Sequence, residues 1–351
     1  MIRWEPLSMA VQWAPPAESG VPLSRYHPVG GDHLCSLWTD PQRDRQAAAR
    51  FLAGCAEGEQ AFWIQDALRA GLPAEGEADR YTTDGVHVRG AVFLPGRMRA
   101  FWRDETLRRR DTGARHVRAV AEMTWALRGL PGTEELPVFE SSLNPALTSL
   151  PLSVICQYGS SGFAPETVLA VVLSHPLVVI GEQVYPNPFY VPDDRFSERF
   201  ARLRADPVSA LVPVWTHFLH RQPSAEALAA FACNSLPTLL GATRVWVGLR
   251  EVEATLALDV ERDRLERVGP ADLPVLEQRG RLHALWPSIG RRPGGAVHSG
   301  TVGGLAALEA TLEEARARVV VARPHFGGGD VALFVTLGVT LAQALGASAE
   351  P

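Results

Sequence analysis

The chain has 351 residues, 46% hydrophobic and 21% charged, with a formal net charge of −5. That length allows two domains of about 100–200 residues each, and the acidic balance argues against a nucleic-acid surface, so no direct nucleic-acid binding is expected. All 34 basic residues are arginine, which excludes a phosphate-loop lysine anywhere in the chain and with it conventional ATP chemistry.

No uninterrupted apolar run reaches about 18 residues, so no membrane span is expected. Residues 1–20 lack the charged start and apolar core of a signal peptide. Cys35, Cys55, Cys156 and Cys233 form no C-x-x-C pair. Free thiols in a cytoplasmic protein are therefore expected.

Residues 1–30, with Pro15, Pro16, Pro22, Pro28, Gly30 and Gly31, read as an irregular leader. His33–Trp38 is a short, largely apolar strand. Thr39-Asp40-Pro41 supplies a turn and helix start, with a helix following over 46–57 and a buried strand over 60–64. This is where nucleotide-binding α/β folds place a phosphate loop, yet residues 39–45 contain no glycine.

Further along, 88–94 reads as a strand, 95–110 as a helix, 117–123 as a strand and 133–143 as a helix capped by Thr133. Strongly apolar 152–158 is a strand, 165–174 a helix and 177–180 a strand. Strands alternating with helices imply βαβ units and a mostly parallel sheet. Pro186, Pro188 and Pro192 close this half.

The second half opens with an arginine-rich amphipathic helix over 194–204. A helix over 224–240 capped by Ser224 follows, then paired strands at 244–250 and 254–260. Residues 273–286 read as helical, 290–304 as a Gly-rich loop and 306–317 as more helical than extended. A strand over 318–323, a turn over 326–330 and a final helix over 331–345 complete the chain. The triple glycine at 327–329 suits a tight turn better than a phosphate cradle. Domains are expected at 31–205 and 206–351.

Several side chains suggest chemistry. His33 and Cys35 lie two apart on a strand and share a face. They could ligate one metal, line a pocket or pack in the core. Trp38 could stack on a ligand or fill the core. Glu122 sits in an apolar strand, where a carboxylate needs a partner. Trp125 follows three residues later. Cys156 and Tyr158 share another strand face and join the first set if their strands are neighbours. A zinc or iron set of His33, Cys35, Cys156 and His175 is chemically plausible. Asn187 and Tyr190 lie in a proline-braced loop that suits a lid or simple packing.

The run His33-x-Cys35-x-x-Trp38, the segment Ala121-Glu122-Met123-Thr124-Trp125-Ala126, the strand Val154-Ile155-Cys156-Gln157-Tyr158, the dipeptide His175-Pro176 and the tail Asn187-Pro188-Phe189-Tyr190 occur in that order. Over residues 28–200 the chain resembles the MEDS domain, the sensory domain of methanogens and methylotrophs. That resemblance implies a RecA-like α/β fold that has lost its phosphate loop and senses small organic compounds. The second half is similar to a GAF domain, which implies an α+β fold and dimerisation or a second ligand.

The sequence thus predicts a cytoplasmic, non-catalytic bacterial sensor. A small organic ligand or cofactor, not ATP, is expected in a pocket lined by His33, Cys35, Trp38, Glu122, Trp125, Cys156 and Tyr158, with His175, Asn187 and Tyr190 nearby. The chain carries no visible output module, so a downstream signalling protein is expected as partner, and a homodimer as the assembly. The alternative is a metal- or chromophore-binding protein or enzyme using His33, Cys35, Glu122 and Cys156.

Overall fold

The computed structural model describes residues 20–37, 41–66, 78–159, 161–249, 254–262, 264–282, 295–312 and 317–348. Trp38, Thr39 and Asp40 lie outside them, as do 283–286 of the expected 273–286 helix, 290–294 of the expected loop and 313–316 of the expected 306–317 helix.

The first half comprises β1 (Val21–Pro22), β2 (His33–Leu37), α1 (Pro41–Ala53), β3 (Glu59–Gln65), β4 (Asp79–Thr82), α2 (Thr83–Val86), β5 (Val88–Arg89), β6 (Val92–Phe93), α3 (Pro95–Asp111), β7 (His116–Glu122), α4 (Leu136–Leu147), β8 (Leu152–Tyr158), α5 (Pro165–Ser174), β9 (Leu177–Ile180) and β10 (Gln183–Pro186). The main sheet runs β1-β10-β9-β2-β8-β7-β3-β4. Pairing is parallel from β9 through β4 and antiparallel where β10 and β1 extend one edge. The segment read as an irregular leader therefore ends as an edge strand at Val21–Pro22.

Each central strand is apolar on both faces, as a sheet covered on both sides requires. Leu34, Val120 and Ile155 face α1, packing with Phe51, Leu52 and Trp63. Cys35, Ala119, Ala121, Val154 and Cys156 face the other way, into the larger core that includes Trp102, Phe139, Leu143 and Leu169. The helices of α3, α4 and α5 contribute to that second layer.

Two expectations in this half are corrected. Residues 88–94 form not one strand but a tight hairpin, β5–β6. Its turn residues Gly90 and Ala91 have φ of 58° and 61°; a two-residue turn of that twist matches the strands it joins. Thr133 does not cap α4. It opens a 3-10 turn over Thr133–Glu135, and its hydroxyl donates to Leu130 O at 2.5 Å.

The second half comprises α6 (Asp193–Leu203), α7 (Pro207–Leu219), α8 (Ala225–Leu240), β11 (Arg244–Leu249), β12 (Ala254–Asp259), β13 (Arg264–Val268), β14 (Glu277–Leu282), β15 (Gly295–Val302), β16 (Leu305–Leu312), β17 (Ala317–Arg323) and α9 (Gly328–Ser348). Ser224 caps α8, accepting from Ala227 N at 3.1 Å. The strands form an antiparallel sheet in the order β13-β12-β11-β17-β16-β15-β14, with α8 and α9 packed together against it.

Four further expectations fail here. The described part of the expected 273–286 helix instead contains β14, an exposed edge strand carrying Glu277, Arg279 and Arg281; charge on an edge blocks further pairing. The 290–304 loop contains β15, whose Gly300 lets Glu277 O approach within 2.6 Å of where a Cβ would stand. The alanine-rich residues 306–312 of the expected helix belong to β16, held between β15 and β17. Tertiary pairing overrides its helix propensity. The triple glycine precedes and opens α9 rather than turning a hairpin.

The sequence shows no uninterrupted apolar run, yet Gly328–Leu345 of α9 is long and apolar enough by length and composition to cross a membrane. Its Phe334, Leu337, Leu341 and Ala344 are buried in the protein's own core. That burial accounts for one apolar face of the helix, 35% of the span being buried.

Candidate functional site

The parallel register places Cys35 beside Cys156 and His33 beside Val154. His33, Cys35, Cys156 and Tyr158 all point to the α4–α5 side of the sheet. Two of α4's residues complete the arrangement. Glu140 and Asn144 are four apart and therefore share a helix face, and that face is the buried one. His175 enters from the end of α5, where the chain turns extended toward β9.

The end of α5 is anchored by two asparagines. Asn144 Nδ2 donates to Ser174 O at 2.7 Å. Asn187 Nδ2 donates to Val172 O at 2.7 Å and to His175 O at 2.8 Å. These bonds satisfy carbonyls that the helix end would otherwise leave bare and fix where His175 stands. Asn187 thus positions the site from outside it.

At the centre, His33, Glu140, Cys156 and His175 are each buried, with ligand-type atoms all within 4.8 Å of one another. His33 Nε2 lies 3.4 Å from Glu140 Oε2, and His175 Nε2 lies 3.5 Å from the same oxygen. Cys156 Sγ is 3.5 Å from His33 Nε2. Tyr158 OH donates to Glu140 Oε1 at 2.6 Å. The imidazole centroids are 3.9 Å apart.

The tautomers follow from the partners. Asn144 spends both amide donors on carbonyls, at Ser141 O and Ser174 O, so its Oδ1 is the atom facing His33 Nδ1 at 3.0 Å. His33 Nδ1 is therefore the donor. His175 Nδ1 faces Val171 O at 2.8 Å, and a carbonyl only accepts. Both rings thus turn Nε2 toward Glu140. Burial, then the neighbouring His33, holds the His175 imidazole well below its ordinary range, so its Nε2 presents a lone pair. Among the described residues, neither His175 Nε2 nor Glu140 Oε2 has a hydrogen-bond partner. Burial and the Glu140 charge push the Cys156 thiol and the Tyr158 hydroxyl well above their ordinary ranges. The Cys35 thiol is raised by the same causes.

The other expected site residues are dispersed. Glu122 lies on the opposite face, against α1, accepting from Asp66 N at 2.9 Å and 3.5 Å from Arg45 Nε. It does not meet His33 and Cys35 because neighbouring β7 residues alternate faces. Trp38 is outside the described residues. Tyr190 is half-buried beyond the end of α5, where burial and Asp193 raise its hydroxyl. Glu140 and Asn144 were missed by the sequence reading. Their signal was a carboxylate and an amide, four apart, on the stripe formed by Leu136, Phe139, Leu143 and Leu147.

Trp125 is fully buried, 4.7 Å from the Phe93 ring and 5.7 Å from His87. Among the described residues, His87 has no hydrogen-bond partner on either ring nitrogen, and burial pushes it down to about 3. Unfolded, it titrates near 6.5, so below that pH the unfolded chain binds a proton that the folded chain refuses. Its contribution is complete above about pH 6.5 and erodes as pH falls toward 3, by up to about 1.4 kcal/mol per pH unit. His87→Leu should therefore flatten the loss of urea midpoint between neutral and acid pH. An unchanged slope would contradict this.

On the α1 side, near the carboxyl end of β2, there is a cavity of about 280 Å³. Its lining joins Ser36, Asp44 and Val179 of the first sheet layer to Gln222, Pro223 and Phe231 around α8. Ser36 Oγ donates to Asp44 at 2.5 Å. The β9–β10 turn closes on it through Gly181, where an added Cβ would stand 2.7 Å from Pro223 Cδ.

Residues 32–176 match the MEDS family model. That model is described as MEthanogen/methylotroph, DcmR Sensory domain. The matched segment runs from just before β2 to just after α5 and contains His33, Glu140, Cys156 and His175. No curated protein matches the chain.

Proposed function

We propose that this chain is a ligand-responsive sensor without catalytic activity. Its MEDS-like part, residues 31–205, is a RecA-like sheet without a phosphate loop. A small organic molecule binds at the junction with a GAF-like part, residues 206–351, and the response passes to a downstream protein partner. The observation that carries this reading is the cavity whose walls come from both halves, beside a sheet matched to a sensory domain. It lies toward the carboxyl ends of parallel strands, where open α/β sheets bind ligands. Its lining mixes Ser36, Asp44 and Gln222 with Val179, Pro223 and Phe231, which suits a small molecule with one polar end.

The reading also draws on α8. That helix contributes Ala227, Ala230 and Phe231 to the cavity and packs on β11 of the antiparallel sheet. Movement of α8 on ligand binding would reach the second half directly. The antiparallel sheet with two helices against it supports the GAF-like assignment, and its apolar α9 is the natural element for a homodimer contact.

The test is calorimetry and thermal denaturation of the full chain with short-chain alcohols, amines and thiols, and with Mg-ATP alongside. A saturable rise in Tm with one of the organic compounds and none with Mg-ATP is the expected result. Micromolar binding of Mg-ATP would contradict it.

A further inference from the structure

We propose that the sealed cluster of His33, Glu140, Cys156 and His175 is a tetrahedral site for one divalent transition-metal ion, zinc being the best fit. This is independent of the ligand cavity, which lies on the other face of the sheet.

Three observations carry it. The first is distance. Zinc bonds of about 2.0–2.1 Å to nitrogen and oxygen and about 2.3 Å to sulfur, at tetrahedral angles, place N and O about 3.3–3.4 Å apart and N and S about 3.6 Å apart. The protein holds His33 Nε2 and His175 Nε2 3.4 and 3.5 Å from Glu140 Oε2. It holds Cys156 Sγ 3.5 Å from His33 Nε2. Three of the six donor–donor edges thus match a tetrahedron sized for the ion, and all four donor atoms lie within 4.8 Å of one another.

The second is orientation. Both imidazoles give their Nδ1 protons to oxygens, His33 to Asn144 Oδ1 and His175 to Val171 O, and so aim Nε2 inward. Metal-binding histidines are commonly held by such outer partners. Tyr158 likewise engages Glu140 Oε1 and leaves Oε2 to face the centre.

The third is an unmet need. Among the described residues, His175 Nε2 and Glu140 Oε2 are both buried acceptors without a donor, and they face each other. A proton on His33 Nε2 would serve one contact and leave His175 unserved. A divalent cation serves all four donors at once. With Glu140 and Cys156 as anions and both histidines neutral, the site's net charge becomes zero, as a low-dielectric interior favours. Binding releases the Cys156 thiol proton to solvent. Cys35 lies beside Cys156 but outside the set.

The experiment uses the full chain, unfolded, stripped with chelator and refolded with or without Co(II). The expected result is one Co(II) per chain, with visible ligand-field bands of tetrahedral intensity and a thiolate charge-transfer band in the near ultraviolet. Cys35→Ser should keep that band and Cys156→Ser should lose it. Asn144→Ala, which frees the His33 ring, should weaken Co(II) binding about 10–100-fold. Refolding that requires the ion also counts for the proposal. A chain that refolds equally well in chelator and takes up no Co(II) overturns it. So does a charge-transfer band that survives Cys156→Ser but not Cys35→Ser.

Discussion

Glu140→Ala should destabilise the protein by about 1–3 kcal/mol, the range for leaving a buried polar partner unsatisfied, with the cavity adding to it. Glu140 is fully buried at the point where α4 meets β2, β8 and the end of α5. Its loss strands the Tyr158 hydroxyl, which is only 1% exposed. It also leaves a void beside two imidazoles. Glu140→Gln keeps the shape, keeps an oxygen for Tyr158 and offers His175 Nε2 an amide donor. In chelator-containing buffer the glutamine variant should therefore lose far less. Urea denaturation of the three proteins checks this. A Glu140→Ala midpoint within experimental error of the parent would show that the cluster contributes nothing to the core.

Much of the first half was legible because its strands and helices follow simple periodicities. The strand at 177–180 and the helix at 165–174 have the bounds the sequence suggests. Each has strong punctuation, Pro165 at one start and His175-Pro176 between them. The sequence could place His33 and Cys35 on one strand face, and it could suspect Cys156 and His175. It could not tell that β2 and β8 are neighbours in the register that seats Cys35 beside Cys156. That fact belongs to the sheet order, which no local pattern encodes.

Glu122 shows the opposite limit. A carboxylate in an apolar strand reads as a site residue whichever way it points. Only the pairing of β7 with β8 decides that it faces α1. Glu140 was passed over because it lies in a helix, where a single acidic residue normally means a solvated face. Here Phe139, Leu143 and Leu147 bracket it on the buried side.

The second half was less legible for a physical reason. Two of its strands are poor strand formers whose state is set by neighbours. Leu305–Leu312 is rich in alanine, and Glu277–Leu282 is charged and mostly exposed. Each becomes extended because the adjacent strand offers a ladder of hydrogen bonds. By contrast β11, β12, β17 and α8 carry valine, leucine and cap residues that speak for themselves, and these were read correctly.

The central claim is that a small molecule is sensed in the cavity between the MEDS-matching sheet and α8. Ala227→Trp tests it most directly. Ala227 lines the cavity from α8, and an indole there occupies the space without cutting into the core. The measurement is the Tm rise produced by whichever short-chain compound stabilises the parent most. The account predicts a variant that folds, melts within a few degrees of the parent and shows no rise at saturating compound. A folded variant that keeps the parent's full rise would contradict it, because the compound would then be binding somewhere else.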